Sequence, residues 1–196
     1  MLRKRFDPDG SDRSLVVLAS KGCDLDEWKP LLLWHITRND FLLREFLQQW
    51  LFPRHQAGAY RIHIPEVLDF ARSLQRSTAN EPWNSATLHR VASGLVKIAA
   101  DFELLQGGNV KEFRSFHLPE RSFLYLLHAI RERKQSPLQI LESPDWRMFL
   151  MSPADVEHEL LRLHQFRKLD YQVAGSLVQL SLPCSSSLEY AETMVA

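Results

Sequence analysis

The 196 residues carry 24 basic and 24 acidic side chains, so the total charge does not by itself indicate a nucleic-acid partner. Apolar residues make up 45% of the chain, enough to form a core without metal or disulfide support. The longest apolar runs, 31–36 and 123–130, fall far short of the roughly 20 residues that span a bilayer. The composition predicts a soluble, cytoplasmic protein whose binding surface depends on local separation of charge.

The two cysteines, Cys23 and Cys184, stand far apart and have no metal-ligand spacing to each other or to a histidine. Free thiols in a reducing cytosol are the preferred interpretation, and a disulfide between them is the alternative. The basic opening residues 1–5 lead into acidic residues rather than an apolar signal core, so no targeting segment is predicted.

In the first quarter of the chain, residues 1–20 are interpreted as a flexible arm because charged residues, proline and glycine dominate their beginning. Asp24 then stands three residues before Glu27, the spacing of a capping box, and predicts the start of a helix. Asn39 is predicted to cap a second helix, which Pro53 is expected to end.

The middle of the chain contains the clearest predicted helix, 85–105. The alternation in 59–64 first predicts a short strand, and Pro65 suits the first turn of a helix that reaches about residue 76. In 85–105 the apolar residues recur every three or four positions and form one stripe; they are Leu88, Val91, Leu95, Ile98, Phe102 and Leu105. The glycine pair 107–108 is expected to end this helix.

In the last part of the chain, Pro119 is predicted to open a helix that runs into a basic stretch at 131–134. A further helix is expected from Ser152 to about residue 168. The segments on either side of Gly175 are predicted to form a β-hairpin over 169–182, because glycine suits the turn.

One pattern occurs twice, at 86–119 and at 155–183: a helix followed by an extended, hairpin-like stretch that closes in Leu-Pro. A hairpin that follows several helices is the order of a winged helix, a helix-turn-helix variant. The sequence therefore predicts a mostly α fold with winged-helix-like units and short β-hairpins. The predicted divisions are an arm at 1–20, an N-terminal unit at 21–118, a C-terminal unit at 119–183 and a polar, frayed tail at 184–196.

Recognisable catalytic motifs are absent from the sequence. There is no glycine-rich phosphate loop and no nucleophile elbow. His158 and His164 are six residues apart and point in different directions on a helix, so they are interpreted as solvated histidines rather than zinc ligands. The sequence predicts no enzyme, no metal and no cofactor. Catalysis remains an alternative only if folding brings distant carboxylates and histidines into one pocket.

The polar face of the 85–105 helix is the main candidate binding surface. Opposite the apolar stripe, Gly94 leaves bare backbone and no acidic residue appears before Asp101. Phosphates supply most of the affinity for DNA, and side chains near a helix start can reach base edges. The face is therefore predicted to bind DNA, with an ordinary solvated face as the alternative; its residues are His89, Arg90, Ser93 and Lys97.

A second basic cluster, formed by Arg131, Arg133 and Lys134, would clamp a DNA backbone or, equally, neutralise the dipole at a helix end. The last long helix instead begins with three acidic residues, Asp155, Glu157 and Glu159, which would repel phosphate. This C-terminal unit is therefore predicted to contact protein rather than DNA.

Three stretches carry a resemblance to a known family. They are Trp34-His35-Ile36-Thr37-Arg38-Asn39-Asp40 leading to Leu43-Arg44-Glu45-Phe46, then Trp83-Asn84-Ser85-Ala86-Thr87 running through Arg90 and Ser93-Gly94-Leu95 to Phe102-Glu103-Leu104-Leu105, and Asp145-Trp146-Arg147. In this order, over roughly residues 25–183, the chain resembles the BrxA-like family, small helical accessory proteins of bacterial BREX phage-defence islands.

The resemblance implies an α-helical fold with winged-helix character, double-stranded DNA as a partner and no catalysis. It also implies work beside other defence proteins, a methyltransferase and an ATPase. The prediction is a non-catalytic DNA-binding accessory protein of a BREX system, and the alternative is a protein–protein adaptor without direct DNA contact. No membrane partner is expected, and the oligomeric state is left open.

Overall fold

The structure is a computed structural model that describes residues 7, 10, 12–78, 83–134, 136–175 and 177–195. It is mostly helical, with a few short antiparallel strands, as the sequence predicts. No helix in these ranges is long and apolar enough to cross a bilayer. The chain forms two compact units: unit 1 combines Met1–Asn39 with Leu118–Ala196, and unit 2 is Asp40–His117.

The described elements of both units are numbered here in chain order. The helices are α1 (Arg13–Lys21), α2 (Leu25–Asn39), α3 (Phe41–Glu45), α4 (Phe52–Gln56), α5 (Ile64–Thr78), α6 (Ser85–Asp101), α7 (Glu120–Arg131), α8 (Pro137–Leu141), α9 (Pro153–Gln165) and α10 (Ser187–Met194). A π-helical segment spans Phe46–Leu51 and a 3-10 helix spans Pro144–Phe149. The strands are β1 (Arg61–Ile62), β2 (Leu105–Gln106), β3 (Lys111–Phe113), β4 (Asp170–Ala174) and β5 (Leu177–Ser181).

Helix α7 is the centre of unit 1, and every residue from 122 to 130 is buried. It packs against α2 and α10, and α10 also packs against α1. Phe123 stacks on Trp146 at 4.8 Å between ring centroids, and the Trp146 indole N–H donates to the Ile140 carbonyl at 2.7 Å. Trp34 and Trp146 are both core residues of this unit.

A chain of buried polar groups ties the first helices of unit 1 to α7. Asp12, just before α1, lies 2.5 Å from Nδ1 of His35, and Nε2 of His35 lies 2.8 Å from the Tyr125 hydroxyl. That hydroxyl also contacts the Ser14 hydroxyl at 2.5 Å, and Arg38 donates to Asp12 at 3.1 Å. Because these groups are buried, each hydrogen bond replaces a contact with water that folding removes.

Burial lowers the pKa of His35 to about 4, although the hydrogen bond and negative charge of Asp12 act in the opposite direction. The imidazole is therefore neutral near pH 7. With the proton on Nδ1, it donates to Asp12, and Nε2 then accepts the Tyr125 hydroxyl proton. Burial likewise raises the pKa of Tyr125, which keeps its phenol protonated as this arrangement requires.

In unit 2, the helix that starts at Phe41 continues through the π-helical segment into α4, so the prediction that Pro53 ends it is wrong. The Phe52 amide bonds the Leu47 carbonyl five residues back. A π turn leaves more room than an α turn for the ring of the following proline, which lacks an amide proton in any case. The cap is Asp40, whose carboxylate accepts the Leu43 amide, rather than the predicted Asn39.

The remainder of unit 2 is a helix pair and a small sheet. Helices α5 and α6 pack against each other, and a hairpin of β2 and β3 follows α6. Strand β3 pairs antiparallel with both β1 and β2, which gives the order β1-β3-β2. The predicted strand at 59–64 is confirmed but is reduced to the two residues of β1, and Pro65 lies in the first turn of α5 as expected.

Five of the described helices end in the same hydrogen-bonded motif, with a residue in the left-handed conformation. The residues are Gly22, Gly58, Glu103, Leu150 and Arg167, with φ of 83°, 76°, 64°, 58° and 57°. After each of them, the next amide bonds a carbonyl five residues back, as in a Schellman motif. Helix α6 therefore ends at Asp101 with Glu103 as its left-handed residue, and the prediction that the glycines at 107–108 end it is wrong.

The structure also corrects the predicted divisions. Within the predicted arm 1–20, α1 is a packed helix with Leu15 and Leu18 buried, and residues 1–6, 8, 9 and 11 lie outside the described ranges. The predicted tail 184–196 contains α10, in which Tyr190 stacks on His128. Because α1 and α2 pack with α7 and α10, the predicted unit 21–118 loses residues 21–39 to unit 1.

The C-terminal hairpin is confirmed. Strands β4 and β5 pair in register around Gly175, which adopts a φ of 63°. The preceding helix α9 starts with a capping box between Ser152 and Asp155, and α8 and α9 pack on this hairpin. The helix predicted to open at Pro119 is α7, with Pro119 at its cap.

His35 predicts a pH dependence of stability. Its pKa is about 4 in the folded protein and about 6.5 in an unfolded chain, so between these values the unfolded state binds more protons. The free energy of unfolding should fall as the pH drops from about 6.5 towards 4, by up to about 3 kcal/mol. Urea unfolding at several pH values measures this. A His35→Gln variant should be less stable at pH 7.5 but should depend less on pH in this range; equal slopes for both proteins would contradict the assignment.

Candidate nucleic-acid interface

Helix α6 of unit 2 carries the main predicted site. The helix begins because the Asn84 side chain accepts the Thr87 amide at 2.8 Å, so Asn84 is its N-cap. Its first turn contains no acidic residue. The buried face consists of Leu88, Ala92, Leu95, Val96 and Ala99.

This buried face is rotated slightly from the predicted stripe. Val91 and Ile98 are only half-buried, while alanines that the apolar spacing overlooked lie in the core. The small alanine side chains allow the close packing of α5 against α6. The rotation leaves the predicted polar face pointing to solvent.

The predicted DNA-contacting residues of α6 share this exposed face. Among the described residues, none offers their side chains a hydrogen bond or ion pair, so the two cations are available to an external anion. They follow at intervals of one, three and four residues, which places them along one side of the helix over about 12 Å. The set is His89, Arg90, Ser93 and Lys97, all exposed.

Gly94 lies in the middle of this face. A methyl group built at Gly94 would meet no atom within 4 Å outside its own helix, so packing within the chain does not require glycine there. Glycine inside a helix is unfavourable relative to alanine. A ligand that approaches the backbone closely would explain the residue.

The small sheet beside α6 also carries cations, which the sequence analysis did not single out. Arg114 pairs with Glu103 at 3.0 Å, and Arg61 pairs with Glu112 at 3.2 Å. The Lys111 ammonium donates to the Gly107 carbonyl at 2.5 Å. These cations have partners within unit 2, unlike those on α6. Strands of two or three residues leave little sequence pattern by which this sheet could have been found.

The second predicted cluster lies in unit 1, and the structure assigns its first member another role. Arg131 donates to the carbonyls of Cys184 and Ser185, each at 2.8 Å, and so holds the segment that leads into α10. Arg133 is half-exposed, 3.9 Å from Asp145 and 6.0 Å from the Trp34 ring. Lys134 is half-buried. These contacts give Arg131 a structural role, and the DNA-binding predictions for Arg131, Arg133 and Lys134 stay predictions.

The acidic residues of α9 mostly serve unit 1 itself. Asp155 completes the capping box, Glu157 accepts the Tyr171 hydroxyl at 3.1 Å, and Glu159 pairs with Arg162 at 2.6 Å. They are therefore less available to an external partner than their sequence positions suggested.

Within the described ranges, no three His, Cys, Asp or Glu side chains are placed to hold a metal ion. Cys23 and Cys184 are free thiols. Burial raises the pKa of both, which makes them poor nucleophiles.

Comparison with protein-family models identifies the family of the chain. The BrxA family model matches residues 2–129, which is more than half of the chain and contains all of unit 2. The chain belongs to the BrxA family. It is therefore a protein associated with BREX phage defence, as the resemblance implied. The match ends within α7, so the 145–147 motif lies beyond it. Comparisons with curated proteins and with solved structures gave no match.

Replacing Gly94 with alanine tests whether the fold needs glycine at this position. Since the added methyl group meets open space, Gly94→Ala should stabilise the protein by roughly 0.5–1 kcal/mol. Urea unfolding of the variant beside the wild type measures the difference. A loss of stability would mean that the fold itself requires glycine at position 94, and a ligand close to the backbone would no longer be needed to explain the residue.

Arg131→Ala tests the structural role of that residue. Losing its hydrogen bonds to the Cys184 and Ser185 carbonyls should cost about 1–2 kcal/mol. Arg133→Ala removes a similar charge from a half-exposed pair and should cost less than about 1 kcal/mol. Denaturant unfolding of both variants makes the comparison, and equal losses would argue against the assigned role of Arg131.

Proposed function

We propose that the chain is a double-stranded-DNA-binding accessory protein of a BREX system, without a catalytic centre, and that α6 is its DNA-reading helix. The observation that carries the proposal is the exposed face of α6, where two cations without a described partner flank a glycine that the fold does not require. BREX association follows from the family; DNA contact is inferred from the chemistry of this face.

The topology of unit 2 supports this proposal. A helix, a strand, two helices and a hairpin follow one another, and the sheet has the order β1-β3-β2. This is the order of a winged helix, in which the last helix enters the major groove and the hairpin is the wing. Helix α6 occupies the position of that last helix.

The charges on α6 suit a phosphate backbone. Arg90 and Lys97 are seven residues apart, two turns, so they lie on the same side of the helix about 10 Å from each other. Each would neutralise a phosphate and release counterions. His89 and Ser93 lie one turn apart nearby, and their side chains would contact base edges or sugars.

The proposal that the chain is not an enzyme follows from the burial of its most suggestive polar groups. Asp12, His35, Tyr125 and Ser14 form a hydrogen-bonded chain of the kind that activates a nucleophile, but each is at most 4% exposed. The neighbouring cavity of about 130 Å³ is too small for a nucleotide. These groups are proposed to stabilise unit 1. A methyltransferase and an ATPase are proposed as protein partners because the family resemblance implies them.

One observation favours the adaptor alternative. Unit 1 exposes apolar side chains at the end of α9 and near the hairpin turn: Phe166 is 63% exposed and Leu177 is 69% exposed. No charged residue occurs between Tyr171 and Pro183, so the hairpin suits an uncharged protein surface better than phosphate. Both functions would fit one protein, with DNA on unit 2 and a partner on unit 1.

Fluorescence anisotropy with a labelled duplex of about 30 base pairs tests the DNA proposal. We expect wild-type binding to weaken steeply between low and near-physiological salt. A variant with His89, Arg90 and Lys97 all changed to alanine should bind at least tenfold more weakly, and its salt slope should fall by about two, one for each lost phosphate contact. Gly94→Ala should weaken binding while it stabilises the fold.

A matched control is available on unit 1. Changing His158, Arg13 and Lys21 to alanine removes the same residue types from exposed positions on α9 and α1, so the net charge changes equally. The control should bind nearly as well as the wild type. Equal weakening in both triple variants would show a general charge effect and contradict the α6 site. No binding at low salt would contradict the DNA proposal and favour the adaptor.

A further inference from the structure

A second candidate binding site lies in unit 1, apart from α6. A cleft of about 700 Å³ opens where α9 ends, β4 begins and β5 ends. This volume is in the range of small-ligand sites. Its lining includes two cationic side chains, Arg167 and Lys168, the imidazole of His164 and one carboxylate, Asp170.

Arg167 has an unfavourable backbone conformation for its residue type. Its φ is 57°, in the left-handed region where a side chain is disfavoured and glycine is common. The backbone bonds of the helix end run from the Arg167 and Lys168 amides and do not involve the Arg167 side chain. The C-terminal hydrogen bonds of α9 therefore do not require arginine at position 167.

The other two non-glycine residues with positive φ in the described ranges have a visible use for their side chains. Glu103 pairs with Arg114 at 3.0 Å, and Leu150 is a core residue, only 7% exposed. The Arg167 side chain is exposed on the cleft and has no hydrogen bond or ion pair with a described residue. Residues that keep a strained backbone conformation, and whose side chains have no packing role, are often functional.

The neighbouring groups favour an anionic ligand. Lys168 is 54% exposed and only 3.9 Å from Glu120, a loose pair that leaves its ammonium accessible. Nδ1 of His164 accepts the Tyr171 amide at 3.3 Å, so the ring proton is on Nε2, which remains a donor. The carboxylate of Asp170 lies 3.6 Å from Nδ1 of His164, and its negative charge would repel an anion in the cleft. Its side chain is 71% exposed, however, so it can turn away into solvent.

We propose that this cleft binds a phosphoryl group, with the Arg167 guanidinium as the main ligand and Lys168 beside it. A guanidinium presents paired N–H donors that match two phosphate oxygens. The phosphoryl group belongs either to a free nucleotide, for which the cleft is large enough, or to a DNA backbone. The proposal rests on unit 1 alone and does not depend on DNA binding by α6.

Chemical-shift titration of the full chain tests the proposal, with inorganic phosphate, ADP and a short DNA duplex as separate probes. We expect saturable shifts at the amides of residues 164–170 with phosphate. Tighter binding of ADP than of phosphate would identify a nucleotide, and shifts at these amides with the duplex but not with ADP would identify a DNA backbone.

Two variants with opposite expected effects make the test specific. Arg167→Gly should weaken binding about tenfold or more, while the unfolding midpoint stays the same or rises, because glycine suits this backbone conformation. Asp170→Asn should tighten binding by removing the opposing carboxylate. Lys21→Ala removes an exposed cation on α1 and is the control. It should change neither the binding affinity nor the unfolding midpoint.

The outcomes separate clearly. No shift at residues 164–170 with any probe overturns the proposal, whatever the duplex does at α6. Binding that Arg167→Gly leaves unchanged also overturns it, because the guanidinium is its main ligand. A lower unfolding midpoint in Arg167→Gly would show that arginine serves the fold and would remove the strain argument.

Discussion

Unit 1 depends on a buried hydrogen-bonded chain that joins parts of the sequence far from each other. Asp12, His35 and Tyr125 bond in series, and the whole of unit 2 lies between His35 and Tyr125 in the sequence. None of these groups tolerates burial without its neighbours. The chain therefore fixes where α1, α2 and α7 meet, and α10 packs onto α1 and α7. In this way unit 2 is carried as an insertion between two segments that complete one core.

Packing within unit 2 buries one face of α6 and leaves the other exposed to solvent. Its alanine-rich face packs in the unit and its basic face remains open, and the helix cannot rotate without burying Arg90 or Lys97. A helix fixed in this way presents its cations in a constant geometry, which is what recognition of a regular phosphate backbone requires. Family membership connects the chain with phage defence. The exposed face of α6 is the surface that we propose for DNA contact.

The sequence predicted the features that depend on local patterns. Spacing and capping residues located most helices, the hairpin around Gly175 and the exposed side of α6. It failed where distant contacts or unusual backbone decide the structure. Helix α6 ends at Asp101 because Glu103 adopts a backbone conformation that normally indicates glycine, and a π turn carries a helix through Pro53. The contacts of Arg131 with two carbonyls were not predicted, because these partners lie more than 50 residues away and leave no pattern in the neighbouring sequence.

Lysine footprinting shows directly whether α6 faces DNA. The full chain would be acetylated with and without excess duplex at low salt, and modification of each lysine would be measured by mass spectrometry. We expect the duplex to protect Lys97 on α6, while Lys21 on α1, which is also exposed in the free protein, keeps its reactivity. If the duplex binds and Lys97 reacts as fast as before, α6 does not face the DNA and the assignment of α6 as the DNA-reading helix is wrong.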